Sequence, residues 1–212
     1  MKTIKIFLLF LIFIVFNGGL LVAENIQTLV ILPNHYGANS FFIMEMLSEF
    51  GWEPTYTAVS STVNHCFWGQ PITVDTIISD LESIDQYECV IICPARWYTN
   101  PSNAYNDLLN SQETMDLLVE ANDAGKVIYA TCAGVRVLAA AGILQGVDVT
   151  GLSYYEDEYI AAGANYLGPD IPAVIDGNIV TSTRGQIYWK QNSEAIMTAL
   201  QLMEQDERRE EK

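Results

Sequence analysis

Three short apolar runs constrain this chain more than any other feature: residues 28–32, 89–93 and 127–131. Beyond a threonine at an edge, none alternates apolar with polar residues, so each suits a strand buried on both faces, as in a parallel sheet covered by helices. Between them the period changes. Ile43, Met46, Leu47 and Phe50 fall at i, i+3, i+4 and i+7 ahead of Gly51, and Val74, Ile77, Ile78 and Leu81 show a similar spacing; both predict helical faces. Residues 55–59 read as a second strand and 60–71 as loop or irregular strand, while 100–110 is polar and turn-rich. Helices are expected over 115–124, 135–141 and 190–203, and residues 173–175 and 178–182 flank Asp176-Gly177, a hairpin signal. Strand–helix alternation predicts an α/β fold, a mostly parallel sheet between two layers of helices.

With 212 residues, half of them hydrophobic, the chain has material for one domain with a real core. Residues 1–23 stand apart from it. Lys2 and Lys5 precede the unbroken apolar run 6–16, and Leu21-Val22-Ala23 leads to Glu24, the order of a secretory signal peptide. Residues 6–23 are also just long enough for an uncleaved anchor, so the expectation is a secreted or extracytoplasmic protein, membrane-anchored if the segment stays. The domain is then 24–203 and residues 204–212 a charged, frayed tail. A formal charge of −16 argues against a nucleic-acid partner, which needs clustered cations. No Cys-x-x-Cys occurs and the only histidines are His35 and His65, so no metal is expected; no Gly-x-Gly-x-x-Gly or Gly-Lys-Ser/Thr loop calls for an organic cofactor.

Ligands of such sheets bind beyond the carboxyl ends of the strands, which directs attention to 34–39, 94–98 and 132–136. In the last of these, a buried strand runs straight into a helix with Cys132 at the junction and Gly134 two residues on. That is an elbow presenting a thiol at a helix N-terminus, where unpaired N–H groups and the helix dipole should favour thiolate. The alternative is an inert buried thiol. His35, after the first strand, is the candidate base or thiolate partner. Arg96 and Arg136 are candidates to bind a carboxylate or stabilise the thiolate, or else are ordinary surface or structural residues.

Ala130-Thr-Cys-Ala-Gly134, followed by Leu138-Ala-Ala-Ala-Gly-Ile-Leu-Gln-Gly146, resembles the nucleophile elbow of the ThiJ/PfpI family, in the class I glutamine amidotransferase-like superfamily. Val174-Ile-Asp-Gly-Asn-Ile-Val-Thr-Ser-Thr-Arg-Gly185 is similar to that family's closing hairpin, and Ile92-Cys-Pro94 stands where the family has a strand ending in Pro-Gly-Gly. The resemblance spans roughly residues 27–203. It implies a flavodoxin-like three-layer α/β/α sandwich, a possible homodimer, and Cys132 in the place of the reactive cysteine. Family activities include peptide or amide hydrolysis, glyoxalase or deglycase chemistry, and redox-linked chaperoning.

Several positions depart from the family's pattern. Ala133 stands where many members have histidine, Leu152 near where others have one, and Asn39 where a glutamate commonly meets the thiolate. Ala95-Arg96 replaces the Gly-Gly whose amides form an oxyanion hole, leaving the amides of Ala95, Arg96 and Ala133 as candidate donors.

Three readings follow. One is a cysteine-dependent hydrolase or lyase-like enzyme acting through Cys132 on a small carbonyl, amide or peptide substrate. Another is a catalytically degenerate member serving binding or dimerisation. A third is redox-responsive, with Cys132 oxidised or bridged to Cys93. The leader segment carries its own test: N-terminal sequencing of protein recovered from an export-competent host should begin at Glu24, and an intact Met1 terminus in the membrane fraction would establish an anchor instead.

Overall fold

The computed structural model describes residues 26–37, 47, 51–65, 69–95, 105–184 and 189–210. Its strands are β1 (Gln27–Ile31), β2 (His35–Tyr36), β3 (Glu53–Ala58), β4 (Thr62–His65), β5 (Pro71–Thr73), β6 (Thr76–Ile77), β7 (Cys89–Ile92), β8 (Val127–Thr131), β9 (Asp148–Val149), β10 (Asn165–Tyr166), β11 (Ala173–Asp176) and β12 (Ile179–Ser182). The helices are α1 (Asn106–Leu109), α2 (Gln112–Asp123), α3 (Val135–Ala140), α4 (Glu156–Ala161) and α5 (Trp189–Glu210). Seven strands form one sheet in the order β11-β12-β8-β7-β1-β3-β6, parallel throughout except for the β11–β12 pair. From β1 the chain moves outward to β3 and β6, then returns to the other side of β1 as β7, which makes the rim beyond β1 and β7 the topological switch.

The apolar runs divide their side chains between two cores with period two, as a sheet covered on both sides requires. Leu29, Ile31, Val90, Ile92, Ile128 and Ala130 join Leu117 and Leu118 of α2 and Val135, Val137 and Leu138 of α3 on one face. Val30, Cys89, Ile91, Cys93, Val127 and Tyr129 pack on the other face with Ile196, Met197, Ala199 and Leu200 of α5. This is the three-layer, mostly parallel sandwich expected from the sequence. Helix α2 starts where the Ser111 hydroxyl accepts from the Thr114 N–H at 3.1 Å and ends before Gly125, whose φ of +67° reverses the chain into β8.

Two local expectations are corrected and a third is decided between its alternatives. Residues 74–81 are not a helix: β6 extends the sheet edge beside β3 and a 3-10 turn, Ile78–Asp80, follows. The apolar spacing there is met by a short strand whose turn buries Ile78, so the periodicity was coincidental. Within 60–71 the described residues take the strand alternative, since β4 pairs with β2 and β5 in a small sheet on the switch rim. Finally, α5 continues through residue 210, where Arg208 Nη2 pairs with Glu204 Oε2 one turn earlier at 3.1 Å. The leader 1–23, Cys66, Asn39, Arg96 and all of the 43–50 helix except Leu47 lie outside the described residues.

Burial has a consequence for pH. It pushes the thiols of Cys89 and Cys93 far above the ordinary thiol range, and raises the Tyr129 phenol to about 12 against the lowering effect of its Ser182 hydrogen bond. As pH climbs through the ordinary ranges, the unfolded chain releases protons that the folded chain keeps, so stability falls with rising pH. The urea midpoint should decline steadily between about pH 8 and about pH 11; a flat midpoint would contradict this.

Candidate active site

Strand β8 is buried along its whole length and ends at Thr131; a 3-10 turn, Cys132–Gly134, leads directly into α3. Cys132 adopts φ +56°, in the left-handed region that a residue with a Cβ occupies at a cost of roughly 1–2 kcal/mol. The expected elbow is therefore present, with the thiol residue at its apex. Gly134 makes the turn possible by lacking a side chain: a Cβ there would sit 3.1 Å from the Tyr105 hydroxyl and 3.4 Å from Ile92 Cγ2.

The backbone of the elbow is fixed from the opposite side. The Leu152 N–H donates to the Cys132 carbonyl at 3.3 Å, and the Tyr159 hydroxyl donates to the same carbonyl at 3.4 Å and to that of Leu152 at 3.3 Å. Position 152, where the family resemblance allows a histidine, thus lies against the elbow but carries an apolar side chain. Arg136, on the first turn of α3, makes a two-pronged ion pair with Glu158, Nε to Oε2 and Nη2 to Oε1 both at 2.9 Å. Its guanidinium also lies 4.4 Å from the centre of the Tyr155 ring. These contacts tie α3 to α4 and make Arg136 a structural clamp in this arrangement.

Burial pushes the Cys132 thiol above its ordinary range; the backbone N–H groups of Ala133 and Arg184, both directed at the sulfur, oppose the rise without cancelling it. The expected bias toward thiolate is thus reversed. A six-residue helix supplies a dipole effect of about 0.3–1 kcal/mol, whereas burial of an ionisable group shifts its proton equilibrium by up to several pH units. Four phenols lie within electrostatic reach of the sulfur, since a thiolate there would disfavour ionisation of Tyr105, Tyr159, Tyr129 and Tyr155.

The other sequence candidates are distributed around this centre. Ala133 is next to the sulfur and contributes its amide. The Ala95 N–H instead donates to the Tyr105 hydroxyl at 3.0 Å. His35 is exposed on β2, and its charge bears on Asp107, whose carboxylate accepts from the Asn34 N–H at 2.6 Å. Among the described residues, no side-chain base contributes to the acidity of Cys132. Cys89, Cys93 and Cys132 are free thiols, so the Cys93–Cys132 bridge is not formed. His65 is buried edge-on against Tyr36, with ring centres 5.0 Å apart. Glu158 of the acidic trio 156–158 serves the Arg136 clamp, and among the described residues no group of three metal-ligating side chains gathers.

Three contributors escaped the sequence reading, among them Tyr159, which reaches the Cys132 carbonyl from 27 residues further along the chain. Arg184 lies inside the hairpin-and-loop segment that carries the resemblance, but its role is through its backbone amide, which no side-chain pattern reports. Tyr105 lies in a polar stretch with nothing local to single it out. The packing at Gly134 generates a prediction: Gly134→Ala should lower stability by about 1–3 kcal/mol, because the buried, hydrogen-bonded Tyr105 hydroxyl has little room to retreat. Denaturant unfolding of the variant measures it, and an unchanged midpoint would show that the elbow can yield.

Comparison with known proteins agrees with the fold. The pattern of the DJ-1/PfpI family matches residues 29–192. A Bacillus subtilis protein named "Putative cysteine protease YraA" is 31% identical over 115 residues, 54% of this chain and 62% of that protein. The chain spans about three-fifths of the length of the first curated relatives it matches, 62% and 58%. Among solved structures, a ThiJ/PfpI domain protein from Brachyspira murdochii superposes with a TM-score of 0.68 at 20% identity, covering 84% of this chain and 98% of that one. Drosophila melanogaster DJ-1beta superposes with a TM-score of 0.67 at 24% identity, covering 84% and 91%. With a family pattern matched from β1 into α5 and the elbow formed at its centre, the chain belongs to the DJ-1/PfpI family.

Proposed function

We propose that this is an exported, cysteine-dependent protein of the DJ-1/PfpI type whose Cys132 adds to a small electrophilic carbonyl compound, such as an α-oxoaldehyde. The observation that carries the reading is the left-handed backbone of Cys132 at the strand–helix elbow. Strain of that kind persists where surrounding structure enforces it, and it gathers at functional sites. Here the enforcement is explicit: the Cys132 carbonyl is held by Leu152 and Tyr159, and two amides face the sulfur.

Carbonyl addition suits the surroundings better than amide cleavage. Expelling an amine requires a general acid beside the scissile bond, a role usually filled by imidazole. His35 is exposed, and Arg136 is occupied by Glu158, so neither favours that chemistry. Addition of a thiol to an aldehyde has no leaving group to protonate. The peptidase activity suggested by the name of the Bacillus relative is accordingly the less supported route.

That, among the described residues, no imidazole contributes to the acidity of Cys132, together with burial that favours its neutral thiol, supports a second reading: a degenerate member that captures a ligand without turnover. Intact-mass measurement after exposure to a small α-oxoaldehyde should show a carbonyl adduct on the protein that is lost in Cys132→Ala, while peptide and amide substrates remain uncleaved. Alkylation of Cys132 by iodoacetamide should accelerate mainly above the ordinary thiol range, about pH 8.5. Conversion of the aldehyde to a released product favours the enzyme, and a stoichiometric adduct alone favours the binding reading. A Cys132 that forms no adduct and resists iodoacetamide even in alkali would overturn both.

A further inference from the structure

We infer that Tyr105 is the proton donor at this site, its phenol serving the oxygen of a carbonyl compound that Cys132 attacks. The inference rests on the carbonyl-addition reading and adds a catalytic group to it. Among the described residues, three non-glycine positions have positive φ: Tyr105 at +68°, Cys132 at +56° and Arg184 at +45°. They are far apart in sequence and meet at one place. Cys132 carries the sulfur, the Arg184 amide is directed at that sulfur, and the Tyr105 hydroxyl lies against the elbow at Gly134. Three strained residues from three segments gathered around one elbow are better explained by a built site than by three separate accidents of packing.

The hydrogen bonding at Tyr105 is unbalanced in a useful direction. Its side chain is 3% exposed, and among the described residues its oxygen has one hydrogen-bond partner, the Ala95 N–H at 3.0 Å. That bond uses a lone pair of the phenol and leaves the O–H proton to be donated. Accepting an N–H also polarises the O–H and makes it a stronger donor. The neighbouring phenols are engaged differently: Tyr159 already donates to two carbonyls, Tyr129 bonds Ser182 at 2.8 Å, and the Tyr155 ring carries the Arg136 guanidinium. The Ala95 amide, an oxyanion-hole candidate by sequence, would thus act through Tyr105.

The step balances without a buried ion persisting. As the sulfur–carbon bond forms, the carbonyl π pair moves onto oxygen; that oxygen takes the phenol proton, and the phenolate recovers the proton that the thiol releases. The product is a neutral hemithioacetal, with no net gain or loss of protons. Both groups start protonated near neutral pH, as burial favours for each.

The test compares two reactions of the same sulfur in the full chain. Tyr105→Phe should slow adduct formation with a small α-oxoaldehyde by about 10²-fold or more, yet leave alkaline alkylation by iodoacetamide unchanged, since alkylation protonates no oxygen. Adduct formation at the unsubstituted rate, or an equal loss in both reactions, would overturn the assignment. Because Tyr105→Phe leaves the Ala95 N–H without its acceptor, 3-fluorotyrosine placed at position 105 provides a second arm that keeps the hydroxyl and makes it more acidic. The pH profile of adduct formation should then move to lower pH, and an unmoved profile refutes the role even if the Phe variant fails to fold. An unsubstituted protein that is alkylated but forms no adduct removes the carbonyl reading and this inference together. Adduct formation undiminished by loss of the phenol removes the inference alone.

Discussion

The carbonyl of Cys132 is the point on which the arrangement of the rim depends. A strand buried on both faces delivers it to the edge of the sheet, where the chain must turn into α3 within three residues. A peptide in that position would swing unless held, and the Leu152 amide and Tyr159 hydroxyl hold it. Helix α4, which carries Tyr159, is kept against α3 by the Arg136–Glu158 pair, whose guanidinium is largely buried at 11% side-chain exposure. A paired charge in that setting is harder to remove than a surface one, because loss of one partner strands the other. The orientation of the thiol therefore depends on contacts up to 27 residues further along the chain.

Around that fixed point, competing electrostatic effects decide the state of the sulfur. Amides and a helix N-terminus favour the anion, but each offers a partial charge, and burial removes the water that would otherwise stabilise a full one. Burial prevails at Cys132. The same balance governs the phenols nearby, so the site is a set of neutral, polarisable donors rather than an ion pair of thiolate and imidazolium. Such a site is suited to moving a proton between neutral groups, and poorly suited to reactions that need a standing negative charge.

The layout of the central sheet was legible because β1, β7 and β8 are continuous apolar runs, a pattern with few alternative uses once helical segments separate them. The elbow was legible for a related reason: a cysteine and a glycine between a buried strand and an alanine-rich helix leave little freedom for the chain. Val74, Ile77, Ile78 and Leu81 misled because apolar residues three or four apart also fit a short edge strand followed by a tight turn. Tyr105 and the Arg184 amide were illegible for a different cause. Their importance comes from where the fold brings them: the pairing of β12 with β8 carries Arg184 to the elbow, and Tyr105 reaches it from the turn before α1, and neither juxtaposition leaves a local pattern. The Arg136–Glu158 pair, 22 residues apart, is equally silent in a linear reading.

The position of β12 has a kinetic side. It joins β8 in parallel, Ile179 beside Ile128, so roughly fifty residues of chain must be closed before that pairing is made, an entropically slow step. Arg184 lies two residues beyond β12, so the second amide facing the sulfur arrives only once that strand has docked. During synthesis from the ribosome, Cys132 would emerge well before the segment that completes its surroundings. The nascent elbow would then pass through a period with its sulfur incompletely enclosed, which makes the docking of the closing hairpin the event that separates an ordinary thiol from the finished site.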